Sequence, residues 1–168
     1  MTTFDLRTLR IRSGDQAHER VEIELEPLLL GGQAYEPRPN PVPAELAVTR
    51  ASSGTVLELA FELTLDGPCF RCLTDAELPV SLSLREYEAT KPESDDEQTE
   101  YLADDRLDLS AWAHDAIALA LPDKILCRPD CAGLCPVCGK DLNVEPHEHT
   151  EERTDPRWAK LSELQREA

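Results

Sequence analysis

The residues best suited to chemistry are six cysteines and a following His-x-His pair. Two Cys-x-x-Cys turns each present two thiolates at a separation that suits tetrahedral zinc. In the second turn, Cys-Pro-Val-Cys-Gly, proline fixes the turn and glycine lets backbone N–H groups point at the sulfurs. The eight candidate metal ligands are the first pair (Cys69, Cys72), the middle pair (Cys127, Cys131), the last pair (Cys135, Cys138) and the histidine pair (His147, His149).

The number of ligands allows two layouts. In the single-site layout the first and last cysteine pairs share one zinc ion, and the middle pair stays free. In the two-site layout the first pair joins the middle pair, and the last pair joins the histidine pair in a local finger. We favour two sites, because they use every cysteine and because an extended His-x-His points both imidazoles the same way. One site is the more economical assumption.

A closed set of four thiolates leaves no position for a reactive water, so the expected role of the metal is structural. Iron in a rubredoxin-like site is the chemical alternative. A redox dithiol is typically found at a helix N-terminus after a strand, whereas here a strand follows the first pair and a loop follows the last. The sequence shows no Ser-His-Asp order, phosphate-binding glycine loop or catalytic carboxylate pair. We therefore expect neither an enzyme nor a small-molecule substrate.

The 168-residue chain has a formal net charge of −17. Its length fits one domain with a real core. No apolar run is long enough to span a membrane and the first residues are not a signal peptide, so we expect a cytoplasmic protein without a membrane partner. The negative charge opposes binding led by nucleic-acid phosphates and favours a basic partner. The plain alternative is that the charge only keeps the protein soluble.

Alternating apolar residues predict the strands of an antiparallel sheet. The clearest run, Leu57 to Leu65, places five large side chains on one face, and Leu78 to Leu84 repeats the pattern. The first cysteine pair therefore lies at the tip of a hairpin. Further expectations are an edge strand at Phe4–Arg12, a polar loop at Gly14–Glu19, a strand at Val21–Leu25, a connector with little regular structure at Gly31–Pro43 and a solvated acidic loop at Thr90–Glu100.

A helix is predicted at about 109–121, capped by Asp108 or Ser110 and ended by Pro122. A short C-terminal helix should begin at Asp155 and Pro156. The predicted fold class is α+β: an antiparallel β meander with one central helix, a cysteine-rich zinc lobe and the C-terminal helix. Residues 1–126 form the scaffold. Residues 127–168 form the lobe and last helix, packed on the scaffold as a single globular unit.

Several motifs occur in an order that resembles one protein family, and they cover roughly the C-terminal two-thirds of the chain. They are Cys69-Phe70-Arg71-Cys72, Leu107-Asp108-Leu109 followed by Leu119-Ala120-Leu121-Pro122, Cys127 and Cys131, Gly133 to Gly139 with Asp141-Leu142-Asn143, and Asp155-Pro156-Arg157-Trp158-Ala159 with Leu161. The set resembles the YceD family, the large ribosomal RNA subunit accumulation proteins of bacteria and plastids.

The resemblance implies a non-enzymatic factor in large-subunit biogenesis that is needed for normal levels of 23S ribosomal RNA. Members of this family carry Cys-x-Cys where this chain has His147-Glu148-His149, a replacement that preserves a zinc site or marks its loss. Together with the charge, the resemblance implies partners on the large ribosomal subunit precursor, namely a basic ribosomal protein or assembly factor, with RNA contact limited to the zinc lobe. The alternatives are a zinc-stabilised adaptor unrelated to ribosomes and a thiol–disulfide oxidoreductase.

Overall fold

The computed structural model describes residues 1–94 and 97–149, in which the chain forms two compact units. The first unit is Met1–Cys131, and the second begins at Ala132. All the named elements belong to the first unit. They are β1 (Thr3–Asp5), a 3-10 helix (Leu6–Thr8), β2 (Gln16–Ile23), β3 (Leu28–Leu30), β4 (Gln33–Arg38), β5 (Val42–Arg50), β6 (Gly54–Pro68), β7 (Asp75–Ala89), β8 (Leu102–Ala103), β9 (Arg106–Asp108) and α1 (Leu109–Ala120).

The β6–β7 hairpin is the centre of the main sheet. The two strands are antiparallel over their whole length, with Gly54 opposite Ala89 and Pro68 opposite Asp75. The alternating leucines of β6 are buried on one face, and Leu57, Leu59 and Leu65 are 0% exposed. Burial on one face of an antiparallel pair is the structure that such alternation favours. The predicted antiparallel sheet is confirmed, and the turn after Pro68 carries the first cysteine pair.

The other edge of β6 is shared by two strands. Residues 55–61 pair with β5 and residues 64–66 pair with β4. Strand β2 lies on the far side of β5, with Gln16 opposite Thr49 and Ile23 opposite Val42. Strand β3 pairs only with β4. These strands complete a six-stranded sheet around the hairpin.

Three expectations for the N-terminal third were wrong. The segment Gly31–Pro43 is not an irregular connector, because β4 and the start of β5 lie within it. Although the segment is rich in proline, exposed and buried residues alternate along β4, and Tyr35 is one of the buried residues. The Tyr35 hydroxyl donates to the Pro68 carbonyl oxygen at 2.9 Å. Gly67 makes room for that ring, because a Cβ there would lie 2.4 Å from a Tyr35 ring carbon.

The expected loop at Gly14–Glu19 and edge strand at Phe4–Arg12 also differ from the structure. Strand β2 already begins at Gln16, because β5 offers it a partner along eight residues. The first strand is only Thr3–Asp5 and pairs with β9, after which a 3-10 turn buries Leu6.

Helix α1 begins where the sequence predicted. The Asp108 side chain accepts a hydrogen bond from the Ala111 N–H at 3.0 Å, which identifies it as the N-cap. The other candidate, Ser110, instead donates to the Glu24 carbonyl oxygen at 2.7 Å. The buried side of the helix consists of Leu109, Trp112, Ala113 and Ile117. The predicted central helix is therefore confirmed.

Two further expectations concern the acidic loop and the C-terminus. Within Thr90–Glu100, Thr99 is only 6% exposed, and its N–H donates to a Glu88 carboxylate oxygen at 2.9 Å. Part of the predicted solvated loop is thus anchored to the end of β7. The predicted C-terminal helix lies outside the described residues. None of the described helices is long and apolar enough to cross a membrane.

We predict that Leu59→Ala lowers the free energy of unfolding by about 2–5 kcal/mol, because it leaves a cavity at a buried position. The matched control is Leu119→Ala, the same change at a helix residue that is 89% exposed. Urea denaturation at a fixed zinc concentration measures both variants. Equal midpoints would contradict the assignment of this face of β6 to the core.

Candidate metal centres

The two Cys-x-x-Cys turns have the same backbone fold. In the first, the Cys69 N–H donates to the Thr74 carbonyl oxygen at 2.7 Å and the Leu73 N–H to the Cys69 carbonyl oxygen at 3.0 Å. The second repeats both bonds at 2.8 Å, from Cys135 to Lys140 and from Gly139 to Cys135. In each turn, the first cysteine therefore takes part in both backbone hydrogen bonds. The two cysteine side chains are thereby held together before any metal binds.

The residue after the second cysteine is left-handed in both turns. Gly139 has φ 74°, which glycine adopts freely. Leu73 has φ 63°, a conformation that costs an ordinary residue about 1–2 kcal/mol. Leu73 is also 57% exposed, so packing in the described structure does not compensate for this strain. The two backbone bonds of the turn hold the leucine there.

The first cluster contains Cys69, Cys72, Cys127 and Cys131. All four sulfurs lie within 4.8 Å of one another, with Cys69 Sγ 3.8 Å from Cys131 Sγ and Cys72 Sγ 3.6 Å from Cys127 Sγ. Three of the four residues are buried, and Cys127 is exposed. The hairpin tip and the segment after α1 each supply two of these sulfurs.

Backbone and side-chain hydrogen bonds align those two segments. The Phe70 N–H donates to the Ile125 carbonyl oxygen at 2.8 Å. The Arg71 guanidinium donates to the Cys131 carbonyl oxygen at 2.7 Å. The ammonium of Lys124 lies 5.2 Å from the centre of the Phe70 ring. Both residues between the cysteines of the first pair therefore help to position the middle pair.

In the first cluster the pKa values favour a thiolate at Cys69 and a thiol at Cys127. Burial would raise the pKa of Cys69, but backbone N–H groups of Cys72, Cys127 and Arg71 donate to its sulfur and lower the pKa to about 6. Desolvation and a hydrogen bond with Cys72 raise the pKa of Cys127 to about 12. Without a cation the sulfurs must share protons, because adjacent thiolates repel one another. A divalent cation at their centre removes that conflict.

The second cluster contains Cys135, Cys138, His147 and His149, again with ligand atoms within 4.8 Å of one another. Cys135 is buried, whereas Cys138 and His149 are exposed. N–H groups of Cys138 and Val137 lower the pKa of Cys135 to about 6 against the effect of burial. His147 Nε2 lies 3.1 Å from Cys138 Sγ. Its Nδ1 lies 2.7 Å from the Glu145 carbonyl oxygen, a contact that raises the pKa of His147.

The second cluster is stabilised by a polar turn between its cysteine and histidine pairs. The Asp141 carboxylate accepts the Asn143 N–H at 2.8 Å, and the Asn143 side-chain oxygen accepts the Ala132 N–H at 2.8 Å. Leu134 and Asp141 form an isolated antiparallel bridge. The second unit thus folds back on itself and brings both ligand pairs together.

Both donor sets fit a tetrahedral ion. Metal–sulfur bonds of about 2.3 Å place tetrahedral sulfurs about 3.8 Å apart, close to the two distances in the first cluster. For a sulfur and a nitrogen the expected separation is about 3.6 Å, somewhat longer than the 3.1 Å between Cys138 and His147. If Nδ1 of His147 donates to Glu145, Nε2 is left as the ligand atom, the usual support for a metal-bound imidazole.

The structure brings the eight candidate ligands together in two sets of four. The first pair meets the middle pair, and the last pair meets the histidine pair. The single-site layout instead requires the first and last cysteine pairs to lie together, which is not the grouping in the structure. The supporting roles of Arg71, Leu73 and Glu145 were not expected from the sequence. Of the three residues, only Arg71 could have been singled out from the sequence, because it lies between the candidate ligands Cys69 and Cys72.

The fold and its two clusters of cysteine and histidine define an antiparallel sheet protein with two groups of residues that could each hold a metal ion. A family model described as "Large ribosomal RNA subunit accumulation protein YceD" matches residues 57–165. The chain therefore belongs to the YceD family, as its motifs predicted. No solved structure matches it.

Individual relatives resemble the chain over most of its length. The uncharacterized protein Rv2926c of Mycobacterium tuberculosis is 35% identical over 173 residues, which cover 96% of this chain and 80% of the relative. The uncharacterized protein ML1660 of Mycobacterium leprae is 33% identical, with coverages of 74% and 59%. The uncharacterized protein YlbN of Bacillus subtilis is 30% identical, with coverages of 64% and 66%.

We predict that the protein binds two equivalents of zinc and that the double variant His147→Ala/His149→Ala binds one. The loss follows from removing half of the second donor set while the first remains complete. Elemental analysis after gel filtration measures the stoichiometry. The control is His18→Ala/His114→Ala, which removes the two histidines outside the cluster and should leave both equivalents in place. An unchanged metal content in the His147/His149 variant would exclude the second site.

We further predict that a chromogenic chelator removes the two ions at different rates. The second cluster should release its ion first, because two of its four ligands are exposed, against one in the first cluster. Its release should accelerate as the pH falls, since the raised pKa of His147 lets protonation compete with the metal at a higher pH than for an ordinary histidine. The fast phase should be missing from His147→Ala/His149→Ala. A single phase of two equivalents in the unmodified protein would contradict the prediction.

Proposed function

We propose that this protein is a non-enzymatic accessory factor in large ribosomal subunit biogenesis, needed for accumulation of 23S ribosomal RNA. The observation that carries the proposal is its membership of a family described by large ribosomal RNA subunit accumulation. Two sets of four ligands support a structural role for the metal, since a filled tetrahedral set leaves no position for a substrate or a reactive water.

The proposed metal is zinc in both sites. Thiolate and imidazole ligands in tetrahedral arrangement are the combination that structural zinc prefers. The mixed donor set of the second cluster favours zinc over a rubredoxin-like iron, which takes four thiolates. In the first site, Cys69, Cys72, Cys127 and Cys131 would tie the hairpin tip to the segment after α1. In the second, Cys135, Cys138, His147 and His149 would close a local finger.

The proposed mode of action is contact with a basic ribosomal protein or assembly factor, with RNA contact limited to the zinc lobe. The formal net charge of −17 supports a protein partner, because a polyanionic RNA would be repelled by most of the surface. The mildly basic stretch from Lys124 to Lys140 offers little compensation. Arg128 is 3.3 Å from Asp130, and Lys140 is 3.0 Å from Glu145, so carboxylates already neutralise both side chains.

Sucrose-gradient sedimentation tests the proposed function. The protein should co-migrate with precursors of the large subunit, and its depletion should lower the ratio of 23S to 16S ribosomal RNA. Restoring the unmodified protein should recover the ratio. Migration only in the free pool, with an unchanged ratio after depletion, would instead favour a zinc-stabilised adaptor unrelated to ribosomes.

A further inference from the structure

The outward face of the main sheet carries a wide trough that no described part of the chain covers. It crosses four strands, β2, β5, β6 and β7, and has a volume of about 1120 Å³. Twelve residues line it, and we call the surface formed by the eight exposed ones the sheet trough. They are Arg20, Glu22, Pro43, Glu45, Ala60, Glu62, Ser81 and Ser83.

Strand register gives the trough its shape. One row across the sheet places Glu45 between Arg20 and Ala60, with Ser83 next to Ala60 on β7. With strands about 4.8 Å apart, four strands span about 14 Å. An α-helix with its side chains is about 10–12 Å wide, so one helix or an extended segment fits across this floor. The small side chains of Ala60, Ser81 and Ser83 leave space above this part of the sheet.

The charge of the sheet trough is negative and largely uncompensated. Glu22, Glu45 and Glu62 rise from three adjacent strands, and Arg20 is the single basic member. In the described part of the chain no ion pair within 4.0 Å involves any of the three glutamates. One neighbouring row is different, because there Glu58 already pairs with Arg85 at 3.9 Å.

A smaller cavity extends the trough at one end. It has a volume of about 400 Å³, shares Glu62 and Ser81 with the sheet trough, and reaches Arg38 and Pro79. There Arg38 pairs with Asp66 at 2.8 Å, whereas the shared Glu62 accepts a hydrogen bond from the Ser81 hydroxyl at 3.1 Å. The three carboxylates of the sheet trough therefore lie together on one continuous surface.

We propose that the sheet trough docks a lysine- and arginine-rich segment of a large-subunit protein. The proposal rests on the proposed function, which supplies the class of partner, and adds the surface that binds it. The lysines and arginines of such a segment would form ion pairs with three carboxylates that have none among the described residues. Its apolar side chains would contact Ala60 and Pro43. Complementary charge mainly accelerates and selects such an encounter. Nucleic acid does not fit, since its phosphates would face three glutamates.

The test uses the full-length, zinc-loaded protein and large-subunit ribosomal proteins stripped of RNA. A captured protein is identified by mass, purified, and titrated against two triple variants that change the net charge equally. Glu22→Gln/Glu45→Gln/Glu62→Gln removes the trough charges, and Glu26→Gln/Glu36→Gln/Glu77→Gln removes three exposed glutamates elsewhere. We expect the trough variant to bind about tenfold more weakly at low salt, with the control within about twofold.

A second pair of variants tests the shape without a change in charge. Ala60→Trp fills the floor of the trough and should weaken binding, whereas Ala34→Trp at an exposed position on β4 should not. Equal affinity of the trough and control variants would overturn the inference, and co-migration with large-subunit precursors would still support the proposed function. If no large-subunit protein is captured, or if protein-free ribosomal RNA offered in a parallel experiment is captured instead, the sheet trough and the protein-mediated mode are overturned together.

Discussion

Four sulfur atoms within 4.8 Å of one another are the constraint on which the arrangement of the first unit depends. They belong to two segments that are distant in sequence, the tip of the β6–β7 hairpin and the stretch after α1. Against the effect of burial, backbone N–H groups lower the pKa of Cys69, whereas desolvation raises the pKa of Cys127. Adjacent thiolates cannot all be ionised without a cation, which is a conflict among the four sulfurs. Metal binding would resolve it and fix the tip of the longest hairpin to the chain beyond the helix.

The hydrophobic core and the clusters perform separate tasks. Alternating leucines on β6 and the apolar side of α1 supply a core that is stabilised by apolar burial. The turns around the cysteines leave large apolar side chains in solvent, since Phe70, Leu73 and Val137 are 39%, 57% and 58% exposed. In the second unit a single isolated bridge is the only pairing among the described residues. Metal coordination can replace hydrophobic burial in such small segments. The same hydrogen-bonded Cys-x-x-Cys turn contributes to both clusters, once at the hairpin tip and once in the second unit.

The sequence predicted most of what local patterns determine. Period-two leucines identified the hairpin, and Asp108 with the apolar spacing after it identified the helix. It failed where long-range pairing decides the structure: β4 pairs with β6, which is distant in sequence, and the Tyr35 ring lies against Gly67. The ligand set was visible as residue types, but spacing alone allowed two groupings. In the first cluster the structure pairs them through Arg71, which lies inside a Cys-x-x-Cys turn, and through the backbone of Ile125, which lies in no metal-binding pattern.

X-ray absorption at the zinc edge of the purified protein tests the central claim, that the chain holds two closed structural zinc sites. Six cysteines and two histidines divided between two ions give an average of three sulfurs and one nitrogen for each zinc. The expected spectrum therefore shows sulfur at about 2.3 Å and nitrogen at about 2.0–2.1 Å in that ratio. A shell of sulfur alone with one equivalent of zinc, or a shell dominated by oxygen and nitrogen, would contradict the account.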